Sequence, residues 1–340
     1  MNTITTQNPS KQLSKVSALA AAFLTVDEAS EGQRIDNYLT KILKGVPKSH
    51  VYRILRSGEV RVNKKRIGAD FRLSLGDVVR IPPTKSNVID KPEISAAITA
   101  KFTNCIIFED EAMLVLDKPA GYAVHGGSGI DLGVIEQIRL ERPKAKFLEL
   151  VHRLDRETSG VLMIAKKRSA LVALHEAIRN NQTDKRYSVL VRGEWTDAKK
   201  RVVLDLQRYL LPNGERRVNV VTDISKDKYN ERQSSETLFR LVKNYHHATL
   251  GPFSLLEAQL VTGRTHQLRV QLAHLGFVIV GDDKYGDFAL NKTLQKHGLK
   301  RMFLDSAITK LKHPITQARL ELNAPLPAEL ATFLQKLEKE

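Results

Sequence analysis

The stretch Val151–Ala165, VHRLDRETSGVLMIA, constrains the fold of this chain most. Its second half, Val161 to Ala165, is an unbroken apolar run of strand length, which predicts a strand buried on both faces. Small turn-forming residues, Thr158, Ser159 and Gly160, come just before it. Ahead of those stands a single carboxylate, Asp155, behind the basic pair His152-Arg153. A lone acid held by a turn at the mouth of a buried strand is a suitable mount for catalysis. Taken alone, an aspartate in a turn more often caps a loop, so residues elsewhere must decide between the two.

The chain has 340 residues, enough for two domains and a sizeable core. Its net charge is +16, which calls for a polyanionic partner, nucleic acid before membrane. The single cysteine, Cys105, excludes an intrachain disulfide and a cysteine-based zinc site, and it sits in an apolar run, Cys105–Phe108, as a structural thiol would. This usage fits a reducing, cytoplasmic compartment. Near the N-terminus Lys11 and Lys15 precede a moderately apolar stretch, Val16–Val26, but Ser17 and Thr25 interrupt it and Asp27-Glu28 follows, so a signal peptide is not expected. Nothing else is long enough to cross a membrane.

Composition changes near residue 90. Between Gln33 and Pro83 twelve Lys or Arg stand against four Asp or Glu, a net +8 and half of the total. Ile35, Tyr38, Leu39 and Ile42 recur at helical spacing, and Gly45-Val-Pro47 breaks that helix. Ser49 is placed to cap a second helix carrying Val51, Ile54 and Leu55, which Gly58 ends. Val60 and Val62 alternate as in a strand, Asn63-Lys64-Lys65 is a turn, and Leu73 to Ile81 reads as another short hairpin. The expected layout is a flexible tail over 1–26, a small basic unit over 27–90, a proline-containing linker over 91–101 and a second domain over 102–340.

In that second domain, strand-like runs are expected at Cys105–Phe108, Met113–Leu116, Val161–Ala165, Tyr187–Arg192, Leu255–Leu260 and Phe277–Val280. Helical patterns lie near Gly133–Leu140, Ala170–Asn180, Arg264–Leu275 and Pro327–Leu337. The irregular alternation predicts an α+β fold instead of a repeated βαβ unit. Phosphate-loop, HExxH and paired-cysteine motifs are missing; Gly126-Gly-Ser-Gly129 lacks the lysine of a phosphate loop and reads as a flexible turn near the cleft.

Four stretches together resemble the RluA-type pseudouridine synthases: Leu116-Asp-Lys-Pro-Ala-Gly-Tyr-Ala-Val-His125; His152-Arg-Leu-Asp-Arg-Glu-Thr-Ser-Gly160; Lys185-Arg-Tyr187; and Val261-Thr-Gly-Arg-Thr-His-Gln-Leu-Arg269 with Gly281-Asp-Asp-Lys-Tyr-Gly286. The second and fourth are the specific ones. Two places depart from the family pattern: Asp117 stands where Asn is usual, and Asp305-Ser306 where His-Ala is usual. The basic unit, through Arg34–Leu39, Ser49–Gly58 and Val60–Asn63, resembles the S4 RNA-binding domain: two short helices and a small sheet.

The resemblance implies a small S4 domain before a catalytic domain with a mixed, largely antiparallel sheet and a central cleft. It implies isomerisation of uridine to pseudouridine in RNA, without metal or cofactor. Asp155 would be the nucleophile. Arg264 would stand against it and keep it ionised despite burial. Tyr187 would stack on the uracil and help move the C5 proton. Leu268 would pack on the other side of the base, and Arg153 would fill the gap left by the flipped nucleotide. Lys48, Arg53, Arg56, Lys64, Lys65 and Arg66 would grip phosphates from the S4-like unit, although each alone would serve as a solvated surface charge. His125, His152 and His266 are expected as hydrogen-bonding scaffold. Long shared stretches point to the branch of the family that modifies several uridines of 23S ribosomal RNA, acting as a monomer on this RNA or its large-subunit precursor. A branch acting on another site of that RNA is the nearest alternative. A non-catalytic RNA-binding or ribosome-assembly protein would not need Asp155, Tyr187 and Arg264 together, and a hydrolase built on His152 and Asp155 lacks a second cluster of metal ligands.

Overall fold

A computed structural model describes residues 21–43, 45–84, 102–126, 132–222 and 232–339. The chain divides into two compact units, one spanning Met1–Thr99 with Lys144–Phe147, the other Ala100–Pro143 with Leu148–Glu340. The expected linker over 91–101 lies outside the described residues, as does most of the glycine turn at 126–129.

The N-terminal unit holds β1 (Ala22–Thr25), α1 (Ile35–Ile42), α2 (Lys48–Arg56), β2 (Arg61–Val62), β3 (Lys65–Arg66) and β4 (Val78–Ile81). Its four strands form one sheet in the order β1-β4-β2-β3. The expected tail over 1–26 is therefore too long: Ala22–Thr25 pairs antiparallel with β4, and Val26 is buried. Ile35, Tyr38 and Leu39 from α1 and Val51, Ile54 and Leu55 from α2 pack with Val60, just ahead of β2, and with Val62, Val79 and Ile81 of the sheet. Ser49 does not cap α2, which begins one residue earlier behind Pro47; proline sets the turn geometry there without a side-chain cap. Asn63 and Lys64 both have positive φ (49° and 67°), the conformation of a tight two-residue hairpin, which puts Lys64 at the tip and Lys65 at the start of β3 beside it.

The second unit comprises β5 (Ile106–Glu109), β6 (Met113–Lys118), α3 (Val134–Glu141), β7 (Glu149–Leu150), β8 (Ser159–Ala165), α4 (Arg168–Arg179), β9 (Asp184–Arg192), β10 (Lys199–Leu210), β11 (Arg216–Val220), β12 (Gln233–His247), β13 (Gly251–Leu260), α5 (Gln267–His274), α6 (Phe288–Lys296), β14 (Leu304–Lys312), β15 (Arg319–Asn323) and α7 (Ala328–Lys339). Among the described residues its strands make one sheet in the order β11-β10-β12-β13-β9-β14-β8-β6-β5, with β15 on β14 and β7 on β8. The fold is α+β, as expected. Among the described residues every pairing of this unit is antiparallel except that of β14 with β8, where Asp305 faces Ser159 and Ser306 faces Gly160. All seven residues of β8 are buried, as its apolar run predicts.

Gly160 makes that parallel junction possible. Its φ is +101°, and a Cβ there would lie 2.3 Å from the Ser306 carbonyl oxygen. The core beneath the sheet gathers Leu116, Leu154, Leu162, Tyr187, Val189, Trp195, Phe239, Leu268 and Leu304. The expected strand at Phe277–Val280 is not one: Ile279 makes a single bridge to Val191, between turns at Gly276 and Gly281, both at positive φ.

Candidate active site

Asp155 sits in the turn that delivers the chain into β8, with Leu154 buried behind it and the Thr158 N–H bonded to its carbonyl at 3.2 Å. Its side chain retains 19 % exposure, enough to meet a substrate. The turn is held from below by Lys118, which ends β6 and is fully buried. The Lys118 Nζ donates to the carbonyls of Pro119 (2.8 Å), Tyr122 (3.0 Å) and Arg156 (3.2 Å). Gly121 and Arg156 then bond reciprocally, backbone N–H to carbonyl and Nε to carbonyl, each at 2.9 Å. The first and second sequence motifs are thus tied together one residue beyond Asp155. Burial lowers the Lys118 pKa to about 7.

The cation beside Asp155 is Arg269, not Arg264. Arg269 lies in α5, 3 % exposed, with Nη1 at 3.5 Å from Asp155 Oδ2. Its Nε and Nη2 engage both oxygens of Asp282 at 2.7 and 2.6 Å, and Nη2 also reaches Asp283 at 2.9 Å. Burial opposes the charge, but hydrogen bonds and the nearby carboxylates outweigh it and raise the Arg269 pKa. The expected pairing of Arg264 with Asp155 is overturned. Arg264 is exposed and donates from Nε to the Ser234 carbonyl at 3.1 Å, because the turn ahead of α5 sends it outward while the first helical turn brings Arg269 inward. Both arginines lie in the same motif, so spacing alone does not say which one faces the acid.

Tyr187, on β9, is buried in the same core cluster as Leu154 and Leu268. Burial pushes its pKa up to about 12, against a hydrogen bond from the Ser306 side chain, and the charges of Asp155 and Asp305 add to the rise. It is therefore a neutral phenol at pH 7. Leu268 is buried on α5 next to Arg269, and Arg153 is exposed in the Asp155 turn. His152 is scaffold: its Nε2 accepts the Met163 N–H at 3.1 Å, and burial lowers its pKa to about 4. His266 is closer to the chemistry than its motif alone indicates, with Nε2 at 3.8 Å from Asp155 Oδ2.

The two aspartates that depart from the family pattern, Asp117 and Asp305, lie in one electrostatic cluster. Asp305 is fully buried; its Oδ1 accepts a hydrogen bond from Ser159, and its Oδ2 has no partner. Burial, with the charge of Asp117 adding, raises the Asp305 pKa to about 6. Arg301 donates to the Ser159 hydroxyl at 2.7 Å and offsets part of this effect. A cavity of about 740 Å³ is lined by Asp117, Lys118, Glu157, Ser159, Arg301 and Glu329 among others; Asp155, Tyr187 and Arg269 do not line it. Among the described residues no group of three or more His, Cys, Asp or Glu is arranged to hold a metal, and no helix is long and apolar enough to cross a membrane.

Within the N-terminal unit Lys48, Arg53 and Arg56 are exposed on α2, and Lys64, Lys65 and Arg66 are exposed on the hairpin. Arg66 donates to the Arg56 carbonyl, so the hairpin strand and the helix end share one basic surface.

The sequence profile of the RNA pseudouridylate synthase family matches residues 112–274, and that of the S4 domain matches residues 33–79. The ribosomal large subunit pseudouridine synthase C of Yersinia pestis is 47 % identical over 336 residues, covering 98 % of each chain. The chain belongs to the RNA pseudouridylate synthase family. The enzyme of the same name from Escherichia coli strain K12 is 48 % identical, over 92 % of this chain and 95 % of that one. Among solved structures, human RNA pseudouridylate synthase domain containing 4 is 26 % identical and superposes with a TM-score of 0.53 over 70 % of this chain and 94 % of that one. Human RNA pseudouridylate synthase domain containing 1, 22 % identical with the same TM-score, shares the fold. Asp155, Tyr187 and Arg269 of this pseudouridylate synthase all fall within the matched catalytic region.

Proposed function

We propose that this pseudouridylate synthase isomerises uridines in the RNA of the large ribosomal subunit, several positions of the 23S RNA, with Asp155 as the nucleophile. The observation that carries the chemistry is one accessible carboxylate set against a buried arginine that a second carboxylate already orients. Pseudouridine formation breaks the bond from ribose C1′ to uracil N1 and rejoins the base through C5. It needs an ionised nucleophile, a platform for the free base and a group to move the C5 proton. Arg269 Nη1, 3.5 Å from Asp155 Oδ2, sets a fixed positive charge against the nucleophile. Tyr187 and Leu268 supply apolar surface for uracil, and the Tyr187 hydroxyl is the group to handle the proton. Arg153, exposed in the same turn, fills the space left when the uridine leaves its stack.

The choice of ribosomal RNA rests on the likeness to the large-subunit synthases, and the phosphate grip on the basic S4 surface. The working form is a monomer in the cytoplasm, where large-subunit precursor RNA is met. Mapping pseudouridine in ribosomal RNA from cells with and without the protein tests the substrate. Loss of specific 23S sites supports it; an unchanged map with loss of sites in another RNA overturns it.

A further inference from the structure

His266 opens α5 with a left-handed backbone, φ +52°, which holds its ring between two partners. Its Nδ1 lies 2.8 Å from the Tyr285 hydroxyl, and its Nε2 lies 3.8 Å from Asp155 Oδ2. The Tyr285 oxygen already accepts the Val218 backbone N–H, from β11, at 3.0 Å. Two guanidinium groups also contact the Tyr285 ring, Arg217 at 5.7 Å and Arg269 at 5.3 Å from its centroid.

A backbone N–H can only donate, so the phenol is an acceptor there and keeps its own proton to give. Directed at His266 Nδ1, that proton makes Nδ1 an acceptor and places the imidazole proton on Nε2. The opposite tautomer would leave the phenol proton without an acceptor and set the Nε2 lone pair against a carboxylate. Asp155, Arg269, Lys284 and Asp282 are the charged groups around the ring. Burial and the two cations hold the imidazole neutral against the two carboxylates.

We propose that Tyr285 and His266 are positioning residues for Asp155: Tyr285 selects the Nε2–H tautomer of His266, whose N–H, together with Arg269 Nη1, holds Asp155 Oδ2 and leaves attack to Oδ1. Both approaches are to the same carboxylate oxygen. At 3.8 Å the imidazole contact is electrostatic, and the proposed role requires it to tighten to a hydrogen bond with substrate bound. An Asp155 that rotates freely would present either oxygen and lose the advantage of a fixed attack geometry. This role for the pair rests on Asp155 being the nucleophile.

The test uses the full chain labelled with ¹⁵N-histidine. Long-range proton–nitrogen correlation reads the His266 tautomer, assigned by difference from His266→Asn; asparagine suits the left-handed backbone but is too short to replace the imidazole. Wild type should show Nδ1 bare and Nε2 protonated, and Tyr285→Phe should shift His266 toward a tautomer mixture. Both variants should lower kcat about 10- to 100-fold with KM for RNA little changed, read well below the melting temperature of each variant, since Tyr285→Phe also leaves the Val218 N–H without its acceptor. A protonated Nδ1 in the wild type overturns the proposal, whatever the variants do. So does wild-type kcat in Tyr285→Phe. An active Asp155→Asn would instead sink the nucleophile assignment, which keeps the two failures apart.

Discussion

Arg269 reaches Asp155 through Nη1, the guanidinium nitrogen that Asp282 leaves over. The carboxylate of Asp282 is itself almost fully buried, and although burial alone would raise its pKa, the hydrogen bonds and charge of Arg269 keep it low. The arrangement is a fork with two prongs committed to structure and one to the nucleophile.

Arg269→Lys should therefore lower turnover at saturating RNA by at least ~100-fold, since an ammonium cannot fill three planar positions. Arg264→Lys should leave the saturated rate within about threefold and act, if at all, on RNA affinity. Tritium release from RNA labelled at uridine C5 gives both numbers. The reverse ranking would return the nucleophile's partner to Arg264.

Asp155→Asn preserves size and removes the charge. It should fold, bind RNA and form no pseudouridine. Turnover near the wild-type rate in the same tritium assay would remove Asp155 from the mechanism.

Tyr187→Phe keeps the ring among Leu154 and Leu268 but deletes the hydroxyl that meets Ser306. RNA affinity should hold while turnover falls about 10²- to 10⁴-fold, the usual contribution of a proton-transfer group. A fall in affinity with unchanged saturated turnover would make Tyr187 a stacking surface alone.

Asp305 gives a pH-dependent stability. Its carboxyl titrates near 3.8 when free in water and near 6 in the fold. Between those values the unfolded chain has released a proton that the native state still holds. Rising pH thus costs stability through that window and no further above it. Asp305→Asn should stabilise the fold above pH 6, by no more than about 3 kcal/mol, and match wild type below pH 4, as read from unfolding free energies across pH. A constant difference across the range would attribute the effect to packing.

In the N-terminal unit, changing Lys64, Lys65 and Arg66 together to alanine should flatten the salt dependence of RNA binding. The log–log slope should fall by up to ~0.9 for each duplex phosphate that the variant no longer neutralises. Saturated single-turnover rates should stay close to wild type. An unchanged slope would make these side chains plain solvated surface.

The residues carrying the aspartate turn, the buried strand β8 and the two short helices of the basic unit could be read from local pattern, because each is a contiguous run with its own punctuation. What escaped was set by long-range pairing. Strands β10 and β12 alternate apolar with Lys, Arg and Glu residues and expose much of one face, so their periodicity is diluted. The partner of Asp155 escaped for a related reason. Arg264 and Arg269 share one motif, and only the left-handed start of α5 at His266 decides which turns inward. Tyr285 stood in a family-like stretch without a role, since its partners come from β11 and α5, remote in sequence.

The parallel pairing of β14 with β8 has a consequence for synthesis of the chain. Ser159 and Asp305 are 146 residues apart, and their hydrogen bond closes the sheet immediately beyond the Asp155 turn. Closing so long a loop is entropically slow and comes after the nearer hairpins have formed. A growing chain emerging from the ribosome will carry a complete nucleophile motif long before it carries the strand that braces it. Catalytic competence therefore waits until β14, which ends at Lys312, has been synthesised and has paired with β8.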